Sequence, residues 1–251
     1  MDELKDKVVL ITGGSRGIGA AIAKGFSEAG SQIAFTYRSN KRAADKCANE
    51  IRENNIECLV VAARVEEQSD VRSAISKVLR KFGKIDVLVN NAGIWKYGRI
   101  GSMALSQWEE TININLKGTF LFCNEIAPIM KRQRSGKIIN ISSTAGQRGE
   151  PLHSHYAASK GGVIAFTKSI AVELAPFNIN VNCVSPGWVT TDMTRKEMLK
   201  PASREDINRG IPRGKVALPQ DIVGSVLFLA SDLSKHIIGA TINVNGGSVL
   251  F

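Results

Sequence analysis

Tyr156 and Lys160 stand four residues apart in Tyr156-Ala157-Ala158-Ser159-Lys160, so on a helix they share a face. A phenol, with a pKa of about 10, is a poor acid or base at neutral pH. A neighbouring ammonium favours the phenolate and lowers that pKa. Such a pair can give a proton to a carbonyl oxygen during reduction and take it back during alcohol oxidation. Upstream, Asn140-Ile141-Ser142-Ser143-Thr144-Ala145-Gly146 ends an apolar run with two hydroxyls. Either serine there can hydrogen-bond a substrate oxygen, because α/β sheets bind ligands at the carboxyl ends of their strands.

A second chemistry is written near the start of the chain. The first apolar run ends in Thr12-Gly13-Gly14-Ser15-Arg16-Gly17-Ile18-Gly19. Glycines let the backbone turn sharply and approach a ligand closely. A helix beginning near Gly17 aims its free N–H groups and positive end at the same point, which suits a pyrophosphate. The spacing is G-x-x-x-G-x-G rather than G-x-G-x-x-G. Gly13, Ser15, Arg16, Gly17, Ile18 and Gly19 are the candidate contacts. The second apolar run ends in Tyr37-Arg38-Ser39-Asn40-Lys41-Arg42, with no acid before Asp45. A carboxylate there would bind the ribose 2′-OH of NAD. Arg38, with Ser39 beside it, can instead grip a 2′-phosphate, and Arg16 adds positive charge from the glycine turn. The expected cofactor is therefore NADP(H).

Placing these groups together requires an alternating scaffold. Short apolar runs at 8–12, 33–37, 58–62, 85–89, 137–141, 179–184 and 240–244 read as strands buried on both faces. Helical patterns fall between them at 17–29, 41–54, 67–81, 106–131, 156–175 and 220–230. The third carries Val71, Ile75, Val78, Leu79 and Phe82 as one apolar stripe. The expected fold is α/β, a seven-stranded parallel sheet with helices on both faces, in one domain spanning 1–251. Residues 192–219, with Pro201, Gly210, Pro212, Gly214 and Pro219, show no clear period and are a candidate lid.

Composition removes several classes. The chain has 251 residues and a net charge of +10. No apolar run approaches the roughly 18 residues of a membrane span, and the charged start lacks a signal-peptide core. Cys47, Cys58, Cys123 and Cys183 form no C-x-x-C pair and no metal-ligand spacing with the three histidines, so neither disulfides nor a metal site is expected. Reduced thiols point to the cytoplasm. The basic residues are dispersed without interleaved aromatics, which argues against nucleic acid.

The ordered set Thr12-Gly13-x-x-x-Gly17-x-Gly19, Asn90-Asn91-Ala92-Gly93, Ser143, Tyr156-x-x-x-Lys160, Pro186-Gly187 and Val244-Asn245-Gly246-Gly247 resembles the short-chain dehydrogenase/reductase family of ordinary length. The likeness runs from about Lys7 to Gly247 and implies a Rossmann-type doubly wound sheet. Ser143, thirteen residues before Tyr156, matches the family's usual interval and is preferred to Ser142. The resemblance implies that Ser143 holds the substrate carbonyl and Tyr156 donates the proton. Lys160 would bind the nicotinamide ribose and lower the Tyr156 pKa. Asn115 matches the asparagine that supports a proton-relay water. Asn91, Ala92 and Gly93 match the turn beside the adenosine ribose, and Pro186, Gly187, Val189 and Thr191 the stretch that holds the carboxamide. Where the family often has Asp-Val after strand three, this chain has Arg64-Val65. Val65 keeps its place in the cofactor set, and Arg64 becomes a candidate to stack on adenine.

Within the family the chain resembles the 3-oxoacyl-[acyl-carrier-protein] reductases of fatty acid biosynthesis. Sugar, polyol and other small-alcohol dehydrogenases share the same stretches and form the alternative. A non-catalytic NADP-sensing or nucleic-acid-binding Rossmann protein is the remote third reading. The basic run Lys131-Arg132-Gln133-Arg134-Ser135-Gly136-Lys137 is a candidate dock for acidic acyl carrier protein, with Arg134 nine residues before Ser143. Phe177 stands where those reductases carry a second docking arginine. Trp95, Trp188 and His153 would sit near the reacting end, and Trp108 matches a helix-packing position. The resemblance also implies a homotetramer.

Overall fold

The structure is a computed structural model and describes residues 2–250. Seven parallel strands form one sheet: β1 (Val8–Ile11), β2 (Gln32–Tyr37), β3 (Cys58–Ala62), β4 (Val87–Asn90), β5 (Gly136–Ile141), β6 (Ile179–Pro186) and β7 (Thr241–Val244). Their spatial order is β3-β2-β1-β4-β5-β6-β7, so the winding direction reverses between β1 and β4. This is the Rossmann-type fold expected from the sequence, and the reversal opens a crevice beyond the strands' carboxyl ends.

Strand alternation divides the core into two faces. Val9 and Ile11 enter the layer under α1 (Gly17–Glu28), α2 (Lys41–Arg52) and a late helix that includes Ile222 and Val226. Val8 and Leu10 enter the opposite layer, under α3 (Gln68–Phe82) and the helices that follow it. Each face holds fully buried phenylalanines, Phe26 and Phe35 on one and Phe122 on the other. Burying each contributes roughly 1.5–3 kcal/mol. The α3 stripe is as expected: Val71, Ile75 and Val78 are buried, and Gly83 at φ +78° ends the helix.

The expected single helix at 106–131 is divided. α4 (Leu105–Ile112) runs into a five-residue π turn, Asn113–Lys117, and then α5 (Gly118–Gln133). Period alone cannot show this, because a π turn adds one residue to the winding without changing the apolar character. A short helix, α6 (Thr144–Arg148), follows β5, and α7 (Ser154–Leu174) carries Tyr156 and Lys160 in its first turns. Residues 192–219 are more regular than the sequence suggested, with α8 (Arg195–Met198) and α9 (Pro201–Arg209). α10 (Gln220–Ala230) closes the set. All four cysteines are buried free thiols. Among the described residues no helix is long and apolar enough to cross a membrane.

Candidate active site

One cavity of about 450 Å³ lies over the carboxyl ends of β1, β4, β5 and β6. Its cofactor end is made mainly of backbone. Thr12 Oγ1 accepts the N–H groups of Asn91 and Ala92 at 2.9 and 3.0 Å. Asn91 Nδ2 returns two bonds, to the carbonyls of Thr12 and Gly13 at 3.0 and 3.1 Å. These bonds lock the turns after β1 and β4 together. Gly13 takes φ +66°, and a Cβ on Gly19 would lie 2.3 Å from the Gly13 carbonyl oxygen. α1 starts at Gly17 with no side chain capping its first N–H groups, so they are free for an anion.

Gly13, Ser15, Arg16, Gly17, Ile18, Arg38, Ser39, Val65, Asn91, Ala92, Gly93, Pro186, Gly187, Val189 and Thr191 all line the cavity. Gly19 does not; it is needed one layer down, for the close packing just described. Arg38 is half exposed and 3.7 Å from Glu66 Oε1. Glu66 Oε2 is buried without a partner. Glu66 lies on the cavity wall, whereas Arg64 does not. Arg64 is drawn to Glu67 and Asp70, at 3.9 and 3.8 Å, away from the cavity. Glu66 gave no signal in the sequence, because it stands beyond the strand-end position where a ribose acid is sought.

The reacting end is assembled from three elements. Ser143 caps α6, its Oγ accepting the Ala145 N–H at 3.1 Å, which leaves the hydroxyl proton free to donate. Ser142 is spent elsewhere, donating to the Lys160 carbonyl at 2.8 Å. Tyr156 and Lys160 share a face of α7, with Nζ 5.9 Å from the phenol ring centroid. Lys160 Nζ donates to the Ile141 carbonyl at 2.8 Å. Burial pushes the Tyr156 phenol up to about 12; the Ser143 hydroxyl pulls it down and the Glu150 charge pushes it further up. Burial also brings the Lys160 ammonium down to about 8. The protein's own groups thus hold the phenol protonated, the opposite of the depression that the sequence led us to expect, because desolvation outweighs the favourable contacts.

Asn115 sits inside the π turn, fully buried and off the cavity wall. Its Oδ1 accepts the Ile94 N–H at 2.8 Å, and its Nδ2 donates to the Ile94 carbonyl and Ser159 Oγ, both at 3.0 Å. It therefore fixes the turn after β4 against α7. The Gly98 N–H donates to the Leu152 carbonyl at 2.7 Å, pinning the chain after that turn to the loop before α7. This brings Trp95 against Glu150, which accepts the indole N–H at 3.3 Å from each oxygen. His153 does not line the cavity; it stacks behind Trp95 with ring centroids 4.3 Å apart. Trp188 does line it and meets the Trp95 edge at 5.7 Å. Arg134 is not at the site at all. It ends α5 before β5, about 20 Å of strand away from Ser143.

The residues present suit a dinucleotide: a glycine cradle that a Cβ would fill, an open helix start, and a guanidinium at one end. A family model described as enoyl-(acyl carrier protein) reductase matches residues 13–248. The chain belongs to the short-chain dehydrogenase/reductase family. This short-chain dehydrogenase/reductase is 41% identical over 252 residues to a 3-oxoacyl-[acyl-carrier-protein] reductase of Synechocystis sp., covering 100% of both chains. It is 42% identical to the FabG reductase of the same description from Staphylococcus aureus, covering 96% of this chain and 97% of the relative. Among solved structures it is similar to levodione reductase, with a TM-score of 0.94, 30% identity and coverage of 98% and 99%. The family's members work on CH–OH and C=O groups, so this chain is an oxidoreductase of that kind.

Proposed function

We propose that the chain is an NADPH-dependent reductase that converts a ketone to a secondary alcohol, with a 3-oxoacyl thioester as substrate. One observation carries this reading: Ser143, Tyr156 and Lys160 converge at one end of a cavity whose other end is Arg38. The relatives' 3-oxoacyl-[acyl-carrier-protein] substrates support the thioester, and two complementary functions follow for the charges. Arg38 meets the 2′-phosphate. Lys131 and Arg134, both set over the Phe177 ring at 4.5 and 5.8 Å, offer a basic face to an acidic carrier. Phe177 thus holds those cations by their attraction to its ring rather than simply replacing one.

The bound nicotinamide supplies the hydride. The substrate carbonyl oxygen accepts hydrogen bonds from Ser143 and Tyr156, and the Tyr156 phenol gives up its proton to the developing alkoxide. A phenol held at about 12 stays fully protonated at neutral pH, ready for reduction. The nearby ammonium stabilises the phenolate as it forms. Asn115 positions the turn after β4 and α7, and carries the family's relay water. Residues 192–219 serve as a lid, tied to the glycine turn by Arg16 and Asp192 at 3.4 Å. The exposed Trp108, Phe120 and Val172 on α4, α5 and α7, in that order, supply the faces for a homotetramer. Buried free thiols suit the cytoplasm. The test is NADPH oxidation with acetoacetyl-CoA, which should fall to background in Tyr156→Phe. Unchanged turnover in that variant refutes the mechanism.

A further inference from the structure

We propose that Glu150 is a substrate-recognition residue, accepting a hydrogen bond from a neutral donor, a hydroxyl or an amide N–H, on the body of the ketone. The inference rests on the reading above, that a carbonyl is reduced beside Tyr156. Glu150 lines the same cavity as Ser143 and Tyr156, with its side chain only 18% exposed. An ionised carboxylate offers about four acceptor positions. Here it receives one long, shared indole N–H, at 3.3 Å from each oxygen. The nearest other ring nitrogen, His153 Nδ1, is 3.8 Å away and already bonds the Pro151 carbonyl at 3.1 Å. Among the described residues no lysine or arginine comes within ion-pair distance of Glu150. A mostly desolvated carboxylate with so few partners is costly unless a ligand completes it.

The class of donor follows from its neighbours. Lys160 and Arg148 lie on the same cavity, so a cationic substrate is disfavoured. Glu150 itself disfavours an anionic one. Neutral donors remain. The walls beside the carboxylate are rigid: Trp95 is fixed by its stack on His153, at an interplanar angle of 6°, and Trp188 meets it edge-on at 84°. A flat or compact substrate body fits against such indoles. Two substrate types carry the required donor: a hydroxyketone, or a 3-oxoacyl thioester whose pantetheine-like arm has an amide N–H.

Two matched pairs separate these sources. The first is 2-hydroxycyclohexanone against cyclohexanone. The second is the acetoacetyl thioester of N-acetylcysteamine against S-ethyl acetothioacetate. With NADPH, the wild type should favour the donor-bearing member of at least one pair by about tenfold or more in kcat/KM. Glu150→Ala should bring that ratio to about twofold or less; because the change also removes the Trp95 bond and the charge that raises the Tyr156 pKa, the readout is the ratio within each pair and not the absolute rate. Glu150→Gln, which still accepts the Trp95 N–H, should retain part of the preference. A preference in the first pair identifies the hydroxyl, in the second the amide. Equal rates within both pairs overturn the proposal. So does an equal loss on both members in Glu150→Ala, which would mean that Glu150 only supports Trp95. If no ketone is reduced, the catalytic reading fails instead; binding of the same compounds, followed by quenching of indole fluorescence, still decides for or against Glu150.

Discussion

The two ends of the cavity are built from different materials. At the cofactor end the ligand surface is backbone: glycine turns, strand ends and a helix start, held by Thr12 and Asn91. At the substrate end it is side chains on loops, with Trp95, Glu150 and Trp188 meeting across three segments. Backbone sites demand particular residues at particular spacings, because only glycine tolerates the turn or the close approach. Side-chain sites demand only that the right groups arrive at one place. The first kind suits a constant ligand, and the second leaves room for side chains to vary.

Four changes would break or sharpen that contrast. The largest effect belongs to the chemistry between the two ends. Tyr156→Phe should lower kcat about a thousandfold while leaving the NADPH dissociation constant unchanged, measured by stopped-flow turnover and fluorescence titration. Next, Gly19→Ala places a Cβ 2.3 Å from a backbone oxygen that cannot yield cheaply. NADPH affinity should fall about a hundredfold and Tm should drop, yet the substrate preferences of whatever activity survives should not move. Loss of preference there would mean the two ends are not separable.

A smaller effect is expected at Arg38. Arg38→Ala should reduce the ratio of NADPH to NADH efficiency by about tenfold, as one charge-assisted contact is lost. Glu66, 3.7 Å away, holds this effect down by already sharing the guanidinium. The smallest effect is a pH dependence. Lys160 loses its charge as pH rises through about 8, so reductive kcat should decline a few-fold above that point. Stability moves the other way. Because burial lowers the Lys160 pKa from 10.5, the unfolded chain binds more protons there from about pH 8 upward, and the fold should gain stability between about 8 and 9, above which the four buried thiols, raised from 9.0, act the opposite way. A thermal melt series that shows loss already between about 8 and 9 would contradict the buried ammonium.

Much of the cofactor end was legible before any coordinates. Gly13, Ser15 to Ile18, Arg38, Asn91 to Gly93, Pro186, Gly187, Val189 and Thr191 all line the cavity. The exceptions were instructive. Gly19 and Asn115 belong to the layer behind the wall, where they hold the turns that do the binding. The substrate end was half legible. Trp95 and Trp188 line the cavity and His153 sits behind an indole, while Arg134, read as part of a carrier dock, lies at the far end of β5. Glu150 carried no signal, since its partner Trp95 is 55 residues away in the chain.

The amino-acid sequence by itself determined the sheet, its buried strands and the glycine turn after β1. Each of these is a local demand, on apolar period or on a glycine's freedom, that repeats wherever the same backbone is needed. Only the tertiary structure decided the π turn that lodges Asn115, the rise of the Tyr156 pKa and the meeting of Glu150 with Trp95. These depend on what surrounds a side chain once distant segments are packed together, and burial and partnership of that kind have no period to read.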